Sequence, residues 1–189
     1  INVFSNPSIK SIVKIIESLP VVENQYKELY LVNPNKLKTL LKQELAPYKN
    51  FINANNFSGL EGELLLLHNE KGLAYKAIIG LGGSNLESPW TYSRLLEILP
   101  SGGWKLCGSF SLQQSGMALL GSILERYNFT NKGDIFKKHL YLPKHRDYSH
   151  IFHQAAAIYF GRDLINLPAS DLNTEFLEKI CRDFAVFHK

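Results

Sequence analysis

Apolar side chains recur along the chain at spacings that change from segment to segment, and those changes outline the elements. Ile9, Ile12, Val13, Ile15, Ile16 and Leu19 stand at helical spacing behind Ser5-Asn6-Pro7. A capping side chain and a proline in the first turn start a helix there, and Pro20 stops it. Glu28 to Val32 predicts a short strand closed by Asn33-Pro34-Asn35. Lys36 to Leu45 predicts an amphipathic helix that turns Leu37, Leu40, Leu41 and Leu45 inward. Glu63 to His68, with four consecutive leucines, is the clearest β signal. The turn residues Asn69-Glu70-Lys71-Gly72 follow, and then the apolar run Leu73 to Leu81, so the pair reads as a hairpin. Gly80, Gly82 and Gly83 end it in a glycine-rich loop.

Trp90 to Leu99 predicts a helix ended by Pro100, and Trp104 to Phe110 a strand. Ser111 to Tyr127 predicts a helix with Met117, Leu119, Leu120, Ile123 and Leu124 on its apolar face. His139 to Leu142 is a short buried strand before Pro143. Ser149 to Asn166 is a long helical pattern rich in alanine, broken by Pro168-Ala169-Ser170-Asp171. Asn173 or Thr174 caps a last helix, with Glu175 in its first turn. No stop signal follows, and Phe184, Val186 and Phe187 crowd its end, a pattern expected of a piece of a longer protein. Helices alternate with strands over the first 145 residues. The expected fold is therefore α/β: a three-layer domain over residues 1–146 with a mixed sheet and helices on both faces. Residues 147–189 would be a linker helix and the start of a second domain.

Composition narrows the class. Apolar residues make up 45% of the 189 and charged residues 20%, a globular balance that argues against disorder. No apolar run approaches the roughly 20 residues needed to span a bilayer, so no membrane is expected. Ile1 to Leu19 lacks the unbroken apolar core and small-residue cleavage site of a signal peptide, and a cytoplasmic location is expected. The net charge of +4 is spread along the chain. Its densest basic stretch, Lys132 to Arg146, contains Asp134, and nucleic-acid binding is not expected. Cys107 and Cys181 lie in apolar contexts far apart and read as buried, reduced thiols.

Three clusters could carry chemistry. His145, Arg146, Asp147, His150 and His153 are the densest polar group, and His150 and His153 could share a helix face with Asp147 to bind zinc. The competing reading is a helix start capped by Asp147 or Ser149, with histidines in solvent. Gly80-Leu81-Gly82-Gly83-Ser84 follows a strand and could cradle a phosphate through backbone N–H groups. It lacks the Lys-Ser/Thr of a P-loop, and a tight strand-end turn is the simpler reading. Trp90, Tyr92 and Trp104 could form an aromatic platform, although packing is the commoner use of such residues.

Arg162-Asp163-Leu164-Ile165-Asn166-Leu167-Pro168-Ala169-Ser170-Asp171 resembles the Arg-Asp-Leu-(Val/Ile)-Asn-x-Pro-Ala-Asn segment of the leucyl (cytosol) aminopeptidases. It follows an alanine-rich helix, Ala155 to Phe160, and precedes the helix start at Thr174-Glu175, as in that family. Ser170 stands where the family usually has Asn, and Gly161 where it usually has Ala. Upstream, Phe57, Gly59 and Gly62 are similar to a Phe-x-Gly-x-x-Gly spacing of the family, and Leu99-Pro100-Ser101-Gly102 to its Leu-Pro-x-Gly turn. Gly121, Tyr127 and Phe129 resemble a helix end of the family, with altered spacing.

The resemblance implies a macro-domain-like N-terminal domain and, for the parent protein, hydrolysis of peptides from the N-terminus by two divalent metal ions, zinc or manganese. The family's ligands are Lys, Asp and Glu side chains of a C-terminal domain, with an Asn-Thr-Asp-Ala-Glu-Gly-Arg motif that this chain does not contain. No catalytic, metal-binding or cofactor-binding residue therefore carries over. Arg162, Asp163, Asn166 and Pro168 are expected to act structurally, at the domain junction. A peptide substrate and a homo-hexamer with outlying N-terminal domains are further implications for the parent. The alternatives are a free-standing macro-like module for ADP-ribose or a related nucleotide, and a non-catalytic interaction protein.

Overall fold

The computed structural model describes residues 26–93, 95–125, 127, 138–141 and 147–187. The helix expected behind Ser5, most of the basic stretch, Phe129, His145 and Arg146 lie outside the described residues. Five strands form one sheet: β1 (Tyr26–Val32), β2 (Leu64–His68), β3 (Ala74–Gly80), β4 (Gly102–Cys107) and β5 (Lys138–Tyr141). Their order across the sheet is β2-β3-β1-β4-β5. β1 pairs in parallel with both β3 and β4, and β4 with β5. β2 is antiparallel to β3, as the hairpin pattern predicts, so the sheet is mixed.

Alternation along the strands builds two cores. Leu29, Leu31, Ala77, Ile79, Trp104, Leu106 and Leu140 point to one face. They pack there under Tyr92, Leu95, Leu99, Phe110 and Ala118. Tyr30, Val32, Ile78, Leu65 and Leu67 point to the other, under Leu37, Leu40, Leu45, Ile52 and Phe57. The second face belongs to helices α1 (Pro34–Leu40) and α2 (Lys49–Ala54). The first is covered by a 3-10 turn at Pro89–Tyr92, by α3 (Leu95–Ile98) and by α4 (Leu112–Glu125). This is the expected three-layer arrangement.

One charge sits inside a central strand. Lys76 of β3 is 6% exposed and stands directly opposite Glu28 of β1. Its ammonium lies 2.6 Å from the Glu28 carboxylate, with the rings of Tyr30 and Tyr48 at 5.1 and 4.6 Å. A buried ammonium needs such a partner, and the register supplies one across the ladder.

Helix α5 (Ser149–Asn166) has the span the alanine-rich pattern predicts. It lies on the outer side of α4, with Ile151, Ala155 and Tyr159 packed against Leu119, Leu120, Ile123 and Leu124. α6 (Thr174–Phe187) follows, and the Asn173 side chain accepts from the Phe176 N–H at 2.8 Å.

Several expectations need correction. The helix over Lys36 to Leu45 ends at Leu40; Leu45 is fully buried all the same, reached through turns after α1. Trp90 to Leu99 is a 3-10 turn and a single helical turn rather than one helix. Cys107 is only half-buried, at the margin of the second core, and Cys181 is exposed. Its neighbour Ile180 is buried, and one step of a helix turns the next side chain about 100° away, into solvent.

Two glycines on helices test this packing in opposite senses. A β-carbon on Gly121 of α4 would stand 2.1 Å from the Pro89 carbonyl oxygen, whereas one on Gly161 of α5 would meet nothing within 4 Å. Gly121→Ala is therefore expected to lower the unfolding free energy by about 1–3 kcal/mol or more through overpacking. Gly161→Ala is expected to raise it by up to about 1 kcal/mol, the helix preference of alanine over glycine. Urea denaturation of the two variants checks both signs.

Candidate functional site

The last turn of α4 leaves carbonyl oxygens without helical partners, and it ends in a buried place. Side chains of α5 reach two of them. The Tyr159 hydroxyl donates to the Ile123 carbonyl, and Arg162 Nη1 donates to the Leu124 carbonyl at 3.0 Å. A guanidinium suits this helix end, where the dipole is negative. The Arg162 guanidinium also lies 5.2 Å from the centre of the Tyr127 ring, and the Tyr127 and Tyr159 rings meet edge to face at 5.0 Å. The Tyr127 hydroxyl donates to Asp163 Oδ1 at 2.7 Å and accepts from Asn166 Nδ2 at 3.0 Å. Burial, followed by the hydrogen bond to Asp163, pushes the Tyr127 phenol above its ordinary pKa, so it stays protonated and keeps donating. Asp163 itself is 4% exposed.

The structure thus brings together Arg162, Asp163 and Asn166 of the junction motif. Pro168 is exposed beyond them, and its carbonyl accepts from the N–H groups of Asp171 and Leu172 at 2.9 Å each. Tyr127 and Tyr159 complete the cluster. Sequence reasoning noted Tyr127 only within a motif and missed Tyr159. The helical spacing of Tyr159 with Arg162 and Asp163 was the available signal.

The second place to look is the carboxyl end of the parallel strands, where open α/β sheets bind ligands. Here the chain fills it. The N–H groups of Gly80, Leu81, Gly82 and Ser84 donate to the carbonyls of Glu63, Val32, Gly59 and Leu81 at 2.7–3.0 Å. Four of the five N–H groups of the glycine-rich loop are thus taken by protein carbonyls, which favours the strand-end turn over a phosphate cradle. The tightness of that turn explains the glycines: a β-carbon on Gly80 would stand 1.9 Å from the Leu60 carbonyl oxygen. Glu63 holds the facing loop in shape. Its carboxylate accepts from the N–H groups of Ser58, Gly59 and Leu60 and from the Ser58 hydroxyl, at 2.7–3.0 Å. Burial pushes this carboxyl up, but the hydrogen bonds from Ser58, Gly59 and Leu60 together outweigh it and hold it below the ordinary value. Between β1 and β4, Lys36 reaches across to the Ser109 carbonyl at 3.2 Å, with its ammonium 3.5 Å from the centre of the Phe110 ring. Burial pushes Lys36 down to about 8.

The remaining candidates separate. Asp147 Oδ1 accepts from the Ser149 N–H at 2.8 Å at the start of α5, and His150 and His153 are exposed on the helix. Among the described residues, no three His, Cys, Asp or Glu side chains are grouped to hold a metal ion. Tyr92 and Trp104 are fully buried and bonded to the Leu86 and Pro100 carbonyls, each at 2.8 Å, while Trp90 is 62% exposed. They form no common platform. No described helix is long and apolar enough to cross a membrane.

The sheet with its covering helices matches the family model of the M17 aminopeptidase N-terminal domain over residues 28–143. The chain belongs to the M17 aminopeptidase family. Solved structures share the fold. A cytosol aminopeptidase from Coxiella burnetii is 24% identical with a TM-score of 0.70, over 86% of this chain and 36% of that one. A tomato leucine aminopeptidase mutant is 18% identical with a TM-score of 0.59, over 89% of this chain and 41% of that one. The bottromycin maturation enzyme BotP is 14% identical with a TM-score of 0.59, over 87% of this chain and 38% of that one. No curated protein matches the chain. This M17 chain therefore spans about two fifths of the length of the structures it resembles.

Two predictions test the M17 chain's internal supports. Tyr127→Phe removes a donor from the buried Asp163 carboxylate and is expected to lower the unfolding free energy by about 1–3 kcal/mol. Asn166→Ala, at an exposed position, is expected to cost less. An unchanged urea midpoint for Tyr127→Phe would show that the cluster does not hold α5 to α4. The Glu63 carboxyl is depressed in the folded state, so its contribution is complete above the unfolded value of about 4.3. That contribution is lost as the pH falls through the lower folded value. Unfolding curves of the native chain and Glu63→Gln are accordingly expected to differ at pH 7 and to converge below about pH 4.

Proposed function

We propose that this chain is the non-catalytic N-terminal part, with an assembly or regulatory role, of a metal-dependent leucyl aminopeptidase that removes N-terminal residues from peptides. The family match across the whole sheet carries this reading. The parent would be a cytoplasmic homo-hexamer with two divalent ions, zinc or manganese, per subunit. By the resemblance, the ions and the peptide would belong to the part of the parent beyond this chain.

What this chain contributes follows from the cluster on α4. Helix α5 is not a loose tether: side-chain bonds to the Ile123 and Leu124 carbonyls and the buried Asp163 fix it to the sheet domain. Whatever follows α5 in the parent is then oriented by that domain. The test uses a chromogenic leucyl amide with zinc or manganese. The chain alone is expected to show no hydrolysis, and the parent, captured from its source with an antibody against this chain, is expected to hydrolyse it and to lose activity to a chelator. Hydrolysis by the chain alone, or a captured native protein no larger than 21.5 kDa, would overturn the proposal.

A further inference from the structure

The two edges of the sheet are built differently. β5 begins with Lys138, whose ammonium donates to the Glu97 carbonyl at 2.7 Å, and a charged residue of this kind blunts an edge against pairing. β2 runs Leu64-Leu65-Leu66-Leu67 with no charge, proline or glycine among the leucines, and its only irregularity is a register shift at His68. Among the described residues, no strand lies beyond it.

The register shows which backbone groups face outward. The Gly80 N–H donates to the Glu63 carbonyl at 2.8 Å, which makes that pair a bonded one. Bonded and unbonded pairs alternate along an antiparallel ladder. Leu65 and Leu67, opposite Ile78 and Lys76, are therefore bonded to β3, while Leu64 and Leu66, opposite Ile79 and Ala77, are not. The N–H and C=O groups of Leu64 and Leu66 point away from β3, off the side of β2 where no described strand lies. Large apolar side chains flank both ends, with Leu60 55% exposed before the strand and Leu73 63% exposed after it.

We propose that β2 is a dimerisation edge, at which two copies of this chain join their sheets by antiparallel β2–β2 pairing centred on Leu65. In that register Leu64 and Leu66 exchange backbone hydrogen bonds with the partner's Leu66 and the partner's Leu64. A run of one residue type reads the same in both directions. The twofold pairing therefore sets leucine against leucine on both faces and extends both cores across the joint. Glu63, the nearest charge, is turned back onto Ser58, Gly59 and Leu60 and does not oppose the contact. An isologous contact uses both β2 edges at once and closes. The inference rests on the sheet and not on the aminopeptidase reading.

Amide exchange of the 189-residue chain, followed residue by residue by NMR across a dilution series, tests it alongside sedimentation. At high concentration the Leu64 and Leu66 amides are expected to be as protected as those of Leu65 and Leu67, in a species of twice the 21.5 kDa chain mass. On dilution the Leu64 and Leu66 amides should lose protection in step with the appearance of monomer, while Leu65 and Leu67 keep theirs. Leu66→Lys is expected to sediment as a monomer at every concentration. Fast exchange of Leu64 and Leu66 at high concentration, beside a protected Leu65, overturns the proposal whether or not the chain dimerises elsewhere. Should Leu66→Lys fail to fold by circular dichroism, the dilution series on the unaltered chain still decides.

Discussion

Helix α4 is packed on both sides, and most of the fold answers to that constraint. Its inner side faces the sheet and the 3-10 turn at Pro89–Tyr92, and its outer side faces α5. A helix covered in this way has no solvent face on which to leave polar groups or bulk. Ser115 and Ser122, both buried, return their hydroxyls to the Ser111 and Ala118 carbonyls at 2.9 and 2.7 Å. Gly121 lets the Pro89 carbonyl approach, and Gly116 makes room for Ile151 of α5, 3.0 Å from where its β-carbon would stand. The N-terminus is closed by a reciprocal box: the Ser111 hydroxyl accepts from the Gln114 N–H at 3.0 Å, and Gln114 Oε1 accepts from the Ser111 N–H at 3.2 Å. At the C-terminus the Tyr127 N–H donates to the Leu124 carbonyl at 3.3 Å, and side chains of α5 supply further donors to the Ile123 and Leu124 carbonyls.

That difference makes the Arg162 to Asn166 segment more than a connector. A carbonyl buried without a donor costs about 1–3 kcal/mol. The donors here come from a helix that begins more than twenty residues later in the chain. α4 and α5 therefore stabilise each other. The other motif residues have comparable physical reasons. Gly59 has φ +82°, and a β-carbon on it would stand 3.0 Å from the backbone of Asn33. Pro100 offers its carbonyl to the Trp104 indole, and Gly102 carries a φ of +123°. Gly59, Gly121, Pro100 and Asp163, among the residues behind the aminopeptidase resemblance, are thus places where backbone is closely approached or where a buried polar group finds its partner.

Period and punctuation made much of this fold legible. The four leucines and the Asn69-Gly72 turn announced the hairpin, and the alanine-rich run from Ser149 to Asn166 is a helix over that span. The errors have physical causes. Lys49–Ala54 is six residues long and carries two asparagines, too short for a helical period to mark α2; tertiary packing of Ile52, fully buried, holds it. The pattern through Leu45 continues the period of α1, but the chain leaves the helix at Leu41 and still delivers Leu45 to the core. Burial cannot be told from helicity there. The cluster around Tyr127 was half legible. Arg162, Asp163 and Asn166 stood out by resemblance, but their contact with a tyrosine more than thirty residues away is a tertiary fact. The glycine-rich loop shows the reverse case. Its composition admits a phosphate, and the destinations of four of its five N–H groups favour a turn instead.

Those destinations bear on what the sheet is for. In an open α/β sheet the crevice at the carboxyl ends of the strands is available because the loops diverge there. Here the loops converge: Glu63 folds one back on itself, the Gly80–Ser84 turn bonds to Gly59 and Val32, and Lys36 spans from α1 to the loop after β4. Opening a binding cleft at this end would break several hydrogen bonds at once, each worth about 0.5–1.5 kcal/mol. A domain closed at its ligand-binding end and bonded to the helix that leaves it is suited to hold its neighbours in place. The scaffold role proposed for it in an aminopeptidase would draw on that rigidity.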